Sequence, residues 1–151
     1  MLAASLSFPI DAFSFHKKKK LKIVLVGTGI RGTSFWGRRL VEQYSEIIEF
    51  VGLCDTNKGR LKYAQNFIGT NCKTYINFDK MLNEQKPDLV IVCTVDNTHH
   101  EFIIKGLKSG IDVLTEKPLT TDEFKAQSIL NAEKESGKKL IVGFNYRWSP
   151  Y

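Results

Sequence analysis

Apolar residues in this chain fall into short unbroken runs separated by amphipathic stretches. LKIVLV (21–26) is a β-branched run that ends at Gly27 and reads as a buried strand. A helical stretch follows to about Tyr44, with Phe35, Trp36, Leu40 and Val41 as its apolar positions. IIEFVGLC (47–54) reads as a second strand. Residues 57–68 read as a helix with Leu61, Ala64, Phe67 and Ile68 at helical spacing, and Gly69 supplies its stop. TYI (74–76) is a short third strand, and Phe78–Glu84 a short helix with Met81 and Leu82 inward.

The same rhythm fills the second half. LVIVCT (89–94) is the clearest strand, residues 98–108 form a helix, and Gly110 ends it. DVLTE (112–116) is a fifth strand. Thr120 and Glu123 have the spacing of a capping box, which predicts a helix from there to about Ser136, with Gly137 as its stop. LIVGF (140–144) is the sixth strand. Strands alternating with helices imply parallel pairing through right-handed crossovers. The expected fold class is α/β, a doubly wound six-stranded parallel sheet of order 3-2-1-4-5-6, with ligands at the carboxyl ends of the strands.

The 151 residues are 42% hydrophobic and 25% charged, which excludes disordered and low-complexity classes. The longest apolar run is Leu89–Cys93, far short of the roughly 18 residues of a membrane span, so no membrane role is expected. Half of the net charge of +6 lies in residues 1–20, where Lys17–Lys20 meet one acid, Asp11. No second basic cluster with interleaved aromatics follows, so these lysines read as a solvated tail and nucleic acid is not an expected partner.

Cys54, Cys72 and Cys93 are odd in number and widely spaced, which argues against a disulfide framework or a zinc site. Free thiols fit a reducing compartment, and the expected location is cytoplasmic. The alternative is export. Residues 1–16 are apolar, and their lysines follow the apolar stretch instead of preceding it, so they fit only the end of an export signal that starts upstream.

Gly27-Thr28-Gly29-Ile30-Arg31-Gly32 is a G-x-G-x-x-G between a strand and a helix. In that context Gly27 permits the tight turn, Gly29 lets the backbone approach a pyrophosphate, and Gly32 lets the helix pack on the strand. The helix amino end adds N–H donors and a positive dipole. Asp55 ends the second strand, where a carboxylate accepts from ribose hydroxyls and repels a 2′-phosphate. NAD is therefore the expected cofactor ahead of NADP, although Lys58 and Arg60 soften that preference. Asp55 also reads as a cap for the next helix.

Three further segments carry a resemblance. CTVDNTHH (93–100), GIDVLTEKPL (110–119) and GFNYRWSP (143–150) follow the glycine loop in order. With it they resemble the amino-terminal domain of the Gfo/Idh/MocA oxidoreductases, over residues 21–150. The first is similar to that family's T-P-N-x-x-H loop, with Thr94, Asp96 and His99 in register. Val95 stands where proline is usual and Asp96 where asparagine is common. The second is similar to its E-K-P segment and the third to its G-F-N-x-R-x-x-P exit.

The resemblance implies that His99 lies beside the cofactor and that Glu116 orients Lys117 or reaches the nicotinamide ribose. It also implies that Asn145 and Arg147 face the nicotinamide side. Lys117 is implied as the catalytic residue, contacting the nicotinamide ribose and the reacting hydroxyl, and an ammonium there stabilises a developing alkoxide. Pro118 fixes the turn after it, with a cis bond as one candidate geometry. Read without the resemblance, Lys117 is a solvated lysine, His99 a surface or capping residue, and Trp36 a core aromatic or a cover for the pyrophosphate.

The expected organisation is a tail (1–20), a dinucleotide-binding domain (21–145) and the start of a second, substrate-binding domain (146–151). The expected activity is hydride transfer between nicotinamide and a secondary alcohol of a sugar or cyclitol, in a homo-oligomer when full length. The alternative is a dinucleotide-binding module without turnover. A methyltransferase also uses a glycine loop and a ribose-binding acid, but the E-K-P and N-Y-R segments argue against it.

Overall fold

The computed structural model describes residues 19–144 and Arg147. The amino-terminal tail to residue 18, Asn145 and most of the exit segment lie outside the described residues. The chain runs β1 (Leu21–Val26), a π-helical segment (Arg31–Arg38) continuing as α1 (Arg39–Tyr44), β2 (Ile48–Cys54), α2 (Lys58–Ile68), β3 (Lys73–Tyr75) and α3 (Phe78–Gln85). It continues through β4 (Leu89–Val92), a 3-10 turn (Asp96–Thr98), α4 (His99–Lys108), β5 (Asp112–Glu116), α5 (Glu123–Ser136) and β6 (Leu140–Gly143). The sheet has the expected order β3-β2-β1-β4-β5-β6, and every pairing is parallel.

Successive side chains of a strand point to opposite faces, so the unbroken runs bury both. Val24, Val26, Val90, Val92 and Val113 pack against Met81, Leu82, Ile103, Leu107 and Ile129 of α3, α4 and α5. Ile23, Leu25, Leu53 and Ile91 pack on the other face against Leu61, Ala64 and Ile68 of α2, with Trp36, Leu40 and Val41 alongside. Register brings the strand ends level: Val26 pairs with Cys54 and with Val92, and Glu116 with Gly143. This common carboxyl edge carries the candidate site.

Several local expectations are corrected. The helix after the glycine loop is wide at its start: Arg39 N–H bonds Ser34 O, five residues back. A Cβ on Gly37 would lie 2.5 Å from Ile68 Cδ1, so this helix runs hard against α2. The Thr120/Glu123 capping box does not form. Asp122 caps α5 by accepting from Lys125 N–H at 2.9 Å, while Thr120 Oγ1 is buried without a partner among the described residues. A carboxylate one residue from the helix also gains the dipole and the Lys125 ammonium at 3.2 Å. Asp55 does not cap α2; Asn57 does, accepting from Arg60 N–H. Phe67 is not in the core but stacks on Tyr63 at the surface, with ring centroids 5.6 Å apart. β4 stops at Val92, which leaves Cys93 and Thr94 in the loop, and β3 stops at Tyr75, which leaves Ile76 outside it.

Candidate functional site

The glycine loop is shaped by close approach on two sides and open space on the third. Gly27 has φ +89° and donates its N–H to Cys54 O at 2.8 Å. A Cβ there would sit 2.4 Å from the carbonyl carbon of Cys93. A Cβ on Gly32 would lie 2.2 Å from Gly27 O, so the helix starts in contact with the turn. A Cβ on Gly29 would meet nothing within 4 Å. Ile30, the next residue, is 89% exposed.

Thr28 is buried, and its N–H and hydroxyl both donate to Asp55 Oδ2, at 2.8 and 3.0 Å. Asn57 N–H donates to Asp55 Oδ1 at 2.9 Å. The buried carboxylate at the end of β2 is thus clasped to the loop at the end of β1. Three of its roughly four acceptor positions are used.

A second buried carboxylate lies at the end of β5. Glu116 is 5% exposed. Its Oε1 accepts from Arg31 Nε at 2.6 Å and Trp36 Nε1 at 2.7 Å, and its Oε2 from Lys117 N–H at 3.2 Å. Arg31 also lies over the Phe35 ring, 4.0 Å from its centroid. A Cβ on Gly143 would come within 2.9 Å of Trp36, which places the indole against β6. This cluster ties the glycine-loop helix to the E-K-P turn. Sequence reasoning missed it, because its partners are 80 and 85 residues from Glu116.

His99 is 1% exposed. Its Nδ1 lies 2.8 Å from Pro118 O and its Nε2 3.1 Å from Thr94 O. It is neither a surface residue nor a cap; it ties the β4–α4 loop to the turn after β5. Both ring nitrogens lie on main-chain carbonyls, one in each loop. Thr94 is half-buried, its hydroxyl 3.0 Å from Thr98 Oγ1. Asp96 is exposed and accepts from Asn97 N–H. The Lys117–Pro118 bond is cis. Lys117 is exposed, and its ammonium has no hydrogen-bond or ion-pair partner among the described residues. Arg147 stands exposed in a turn whose N–H bonds Phe144 O.

A cleft of about 400 Å³ opens along the ends of β1, β2 and β4. Gly27, Gly29 and Asp55 form one end, and Ile76, Phe78, Glu101 and Phe102 also line it. No residue of β5 or of the E-K-P turn does so. Phe102 and Glu101 carried no signal in the sequence. Two thiols, Cys54 and Cys93, border this region. Burial, then the Asp55 and Asp79 charges, pushes the Cys54 thiol up to about 12. Burial and then Glu116 push Cys93 up, with Arg31 opposing.

A parallel sheet of this order, with a glycine loop opening a helix after β1, has the architecture of a dinucleotide-binding domain. The match is to the oxidoreductase family with NAD-binding Rossmann fold, Gfo/Idh/MocA, over residues 21–144, and the chain belongs to that family. It is 36% identical to YteT of Bacillus subtilis over 133 residues, covering 85% of this chain and 31% of that one. It is 29% identical to an inositol 2-dehydrogenase/D-chiro-inositol 3-dehydrogenase of Lactiplantibacillus plantarum, covering 85% and 37%. Among solved structures it resembles the WlbA dehydrogenase of Chromobacterium violaceum, in complex with NADH and UDP-GlcNAcA. That likeness has a TM-score of 0.78 and 26% identity over 85% of this chain and 36% of the other. The chain thus spans about a third of the length of these relatives. No helix among the described residues is long and apolar enough to cross a membrane.

Proposed function

We propose that this domain binds NAD in preference to NADP. We further propose that the whole protein moves a hydride between the nicotinamide and a secondary alcohol of a sugar or cyclitol. The observation that carries the reading is the Thr28–Asp55 clasp beside Gly29. It holds a carboxylate with acceptor capacity to spare next to a backbone that a phosphate can approach. A cleft of about 400 Å³ beside it suits the adenosine half of a dinucleotide.

In this reading Gly27, Thr28, Gly29, Ile30, Arg31 and Gly32 form the pyrophosphate turn, and Asp55 holds the adenosine ribose. Thr94, Asp96 and His99 shape the loop over the cofactor, and Glu116, Lys117, Asn145 and Arg147 serve the nicotinamide side. Arg31 and Thr28 act by positioning, through Glu116 and Asp55. When bound, the nicotinamide supplies or accepts the hydride. Lys117 offers an exposed ammonium at the carboxyl end of β5, where it stabilises charge developing on the alcohol oxygen. Names of relatives, an inositol dehydrogenase and a dehydrogenase crystallised with a UDP-sugar, support the substrate class.

The test is polyol-dependent reduction of NAD by the whole protein, followed in absorbance. Lys117→Met should lose at least about a hundredfold in kcat, while NADH affinity falls by no more than about tenfold. Turnover at the unsubstituted rate would refute the role of Lys117.

A further inference from the structure

The mouth of the cleft carries a feature that the dinucleotide reading leaves unused. Glu101, in the first turn of α4, lines the cleft and has no hydrogen-bond or ion-pair partner among the described residues. The walls beside it are apolar. Phe78 is buried and meets Phe102 edge to face, with centroids 5.1 Å apart and planes at 89°. Ile76 and Val95 form two outer lips, 60% and 69% exposed, each from a loop that leaves the carboxyl edge of the sheet. Such exposed aliphatic lips around a slot suit a flat heteroaromatic ring.

The direction of the ligand follows from the proposed dinucleotide site, on which this inference rests. With pyrophosphate at Gly29 and ribose at Asp55, the base lies at the end of the cleft bounded by Ile76, Phe102 and Glu101. Arg60, the other charged lining side chain that is exposed, offers only donors. Thr56 follows Asp55 directly and belongs to the ribose end, and the Thr98 hydroxyl is 2.6 Å from Val95 O. These hydroxyls are neutral acceptors; Glu101 brings the carboxylate, the stronger acceptor, to the base end.

We infer that Glu101 selects the purine by accepting from the exocyclic amine of adenine. A carboxylate has only lone pairs to offer. It bonds the 6-amino group of adenine and faces the 6-oxo group of hypoxanthine as one acceptor against another. A carboxylate set against the 6-position therefore discriminates between NADH and its deamino analogue, in which a 6-oxo group replaces the amine and N1 carries the proton. Glutamine at the same position can donate from its amide as well as accept, so it bonds either base.

The experiment is fluorescence titration of the 151-residue chain with NADH and with nicotinamide hypoxanthine dinucleotide, reduced form, before and after Glu101→Gln. The unsubstituted chain should bind NADH about tenfold more tightly than the analogue, the scale of one charge-assisted hydrogen bond. Glu101→Gln should bring the two affinities to within about twofold. Glu101 is exposed, so the melting temperature of the variant serves as the control for folding. General electrostatic effects of removing one charge act equally on both ligands and cancel in the ratio. Equal binding of both ligands by the unsubstituted chain, or an unchanged ratio in the variant, would overturn the assignment of Glu101 and leave the dinucleotide site standing. Failure of both ligands to bind would overturn the dinucleotide reading and this inference with it.

Discussion

Adding one methyl group to each glycine of the turn should give three outcomes that differ in kind. At Gly27 the alanine must hold φ +89°, which costs about 1–2 kcal/mol for a residue with a Cβ. Its Cβ would also lie 2.4 Å from backbone atoms of Cys93 that no side-chain rotation can clear. Overpacking of that kind adds about 1–3 kcal/mol. The total of about 4 kcal/mol predicts a fall of order 10 °C in melting temperature for a domain of this size. Gly32→Ala should behave similarly, since its Cβ would meet Gly27 O at 2.2 Å.

Gly29→Ala should do the reverse. Its φ lies outside the left-handed region and its Cβ would meet nothing within 4 Å. Stability should hold or rise by about 0.5 kcal/mol, because the unfolded chain loses freedom. The same methyl group occupies the space through which the backbone approaches the pyrophosphate, so NADH affinity should fall at least about tenfold. Thermal melts and NADH titrations on the same samples separate the two effects. A Gly29→Ala chain that binds NADH with unchanged affinity would refute the proposed use of this turn. A Gly27→Ala chain with an unchanged melt would refute the packing argument.

Other substitutions probe the two buried carboxylates and the thiols. Thr28→Val keeps the backbone bond to Asp55 but removes the hydroxyl bond, so denaturant unfolding should show a loss of about 1 kcal/mol. Glu116→Ala leaves the Trp36 and Arg31 donors without their acceptor. Because Arg31 is 41% exposed and water can replace its partner, a loss of about 1–2 kcal/mol is expected, with a rise in the mobility of Trp36 fluorescence. The three thiols are all raised above 9.0 in the folded chain, Cys54 to about 12. Unfolded thiols therefore ionise first. Stability should be fully present below pH 9 and fall as the pH rises from 9 toward 12, which urea titrations at stepped pH would read. A stability that is flat over that range would contradict the burial of these thiols. The 151-residue chain by itself should bind NADH and turn over no polyol; polyol-dependent NAD reduction by that chain would contradict this.

The sheet was legible because its strands are buried on both faces. LKIVLV and LVIV announce themselves as unbroken runs, and alternation with helices then allows few topologies. The glycine loop was legible because a local motif sat between the right elements. What escaped was decided at long range or by competition between neighbours. Glu116 meets Arg31 and Trp36 across 85 and 80 residues, a pairing no local pattern encodes. Thr120 and Asp122 both qualify as caps, and only the folded chain shows that Asp122 is the residue at the helix end, accepting from Lys125 N–H. His99 looks like any histidine near a helix start until Pro118 O is brought to its ring. Phe67 fits the helical stripe, but its stacking on Tyr63 leaves it at the surface.

We propose that the clasped Asp55 gives this domain its preference for NAD. That role is tested most directly by titrating the chain with NADH and NADPH, with and without Asp55→Ala. NADH should bind more tightly than NADPH, and in the variant NADH affinity should fall and the preference disappear. Binding of NADPH as tight as that of NADH, or a variant that keeps the preference, would contradict it.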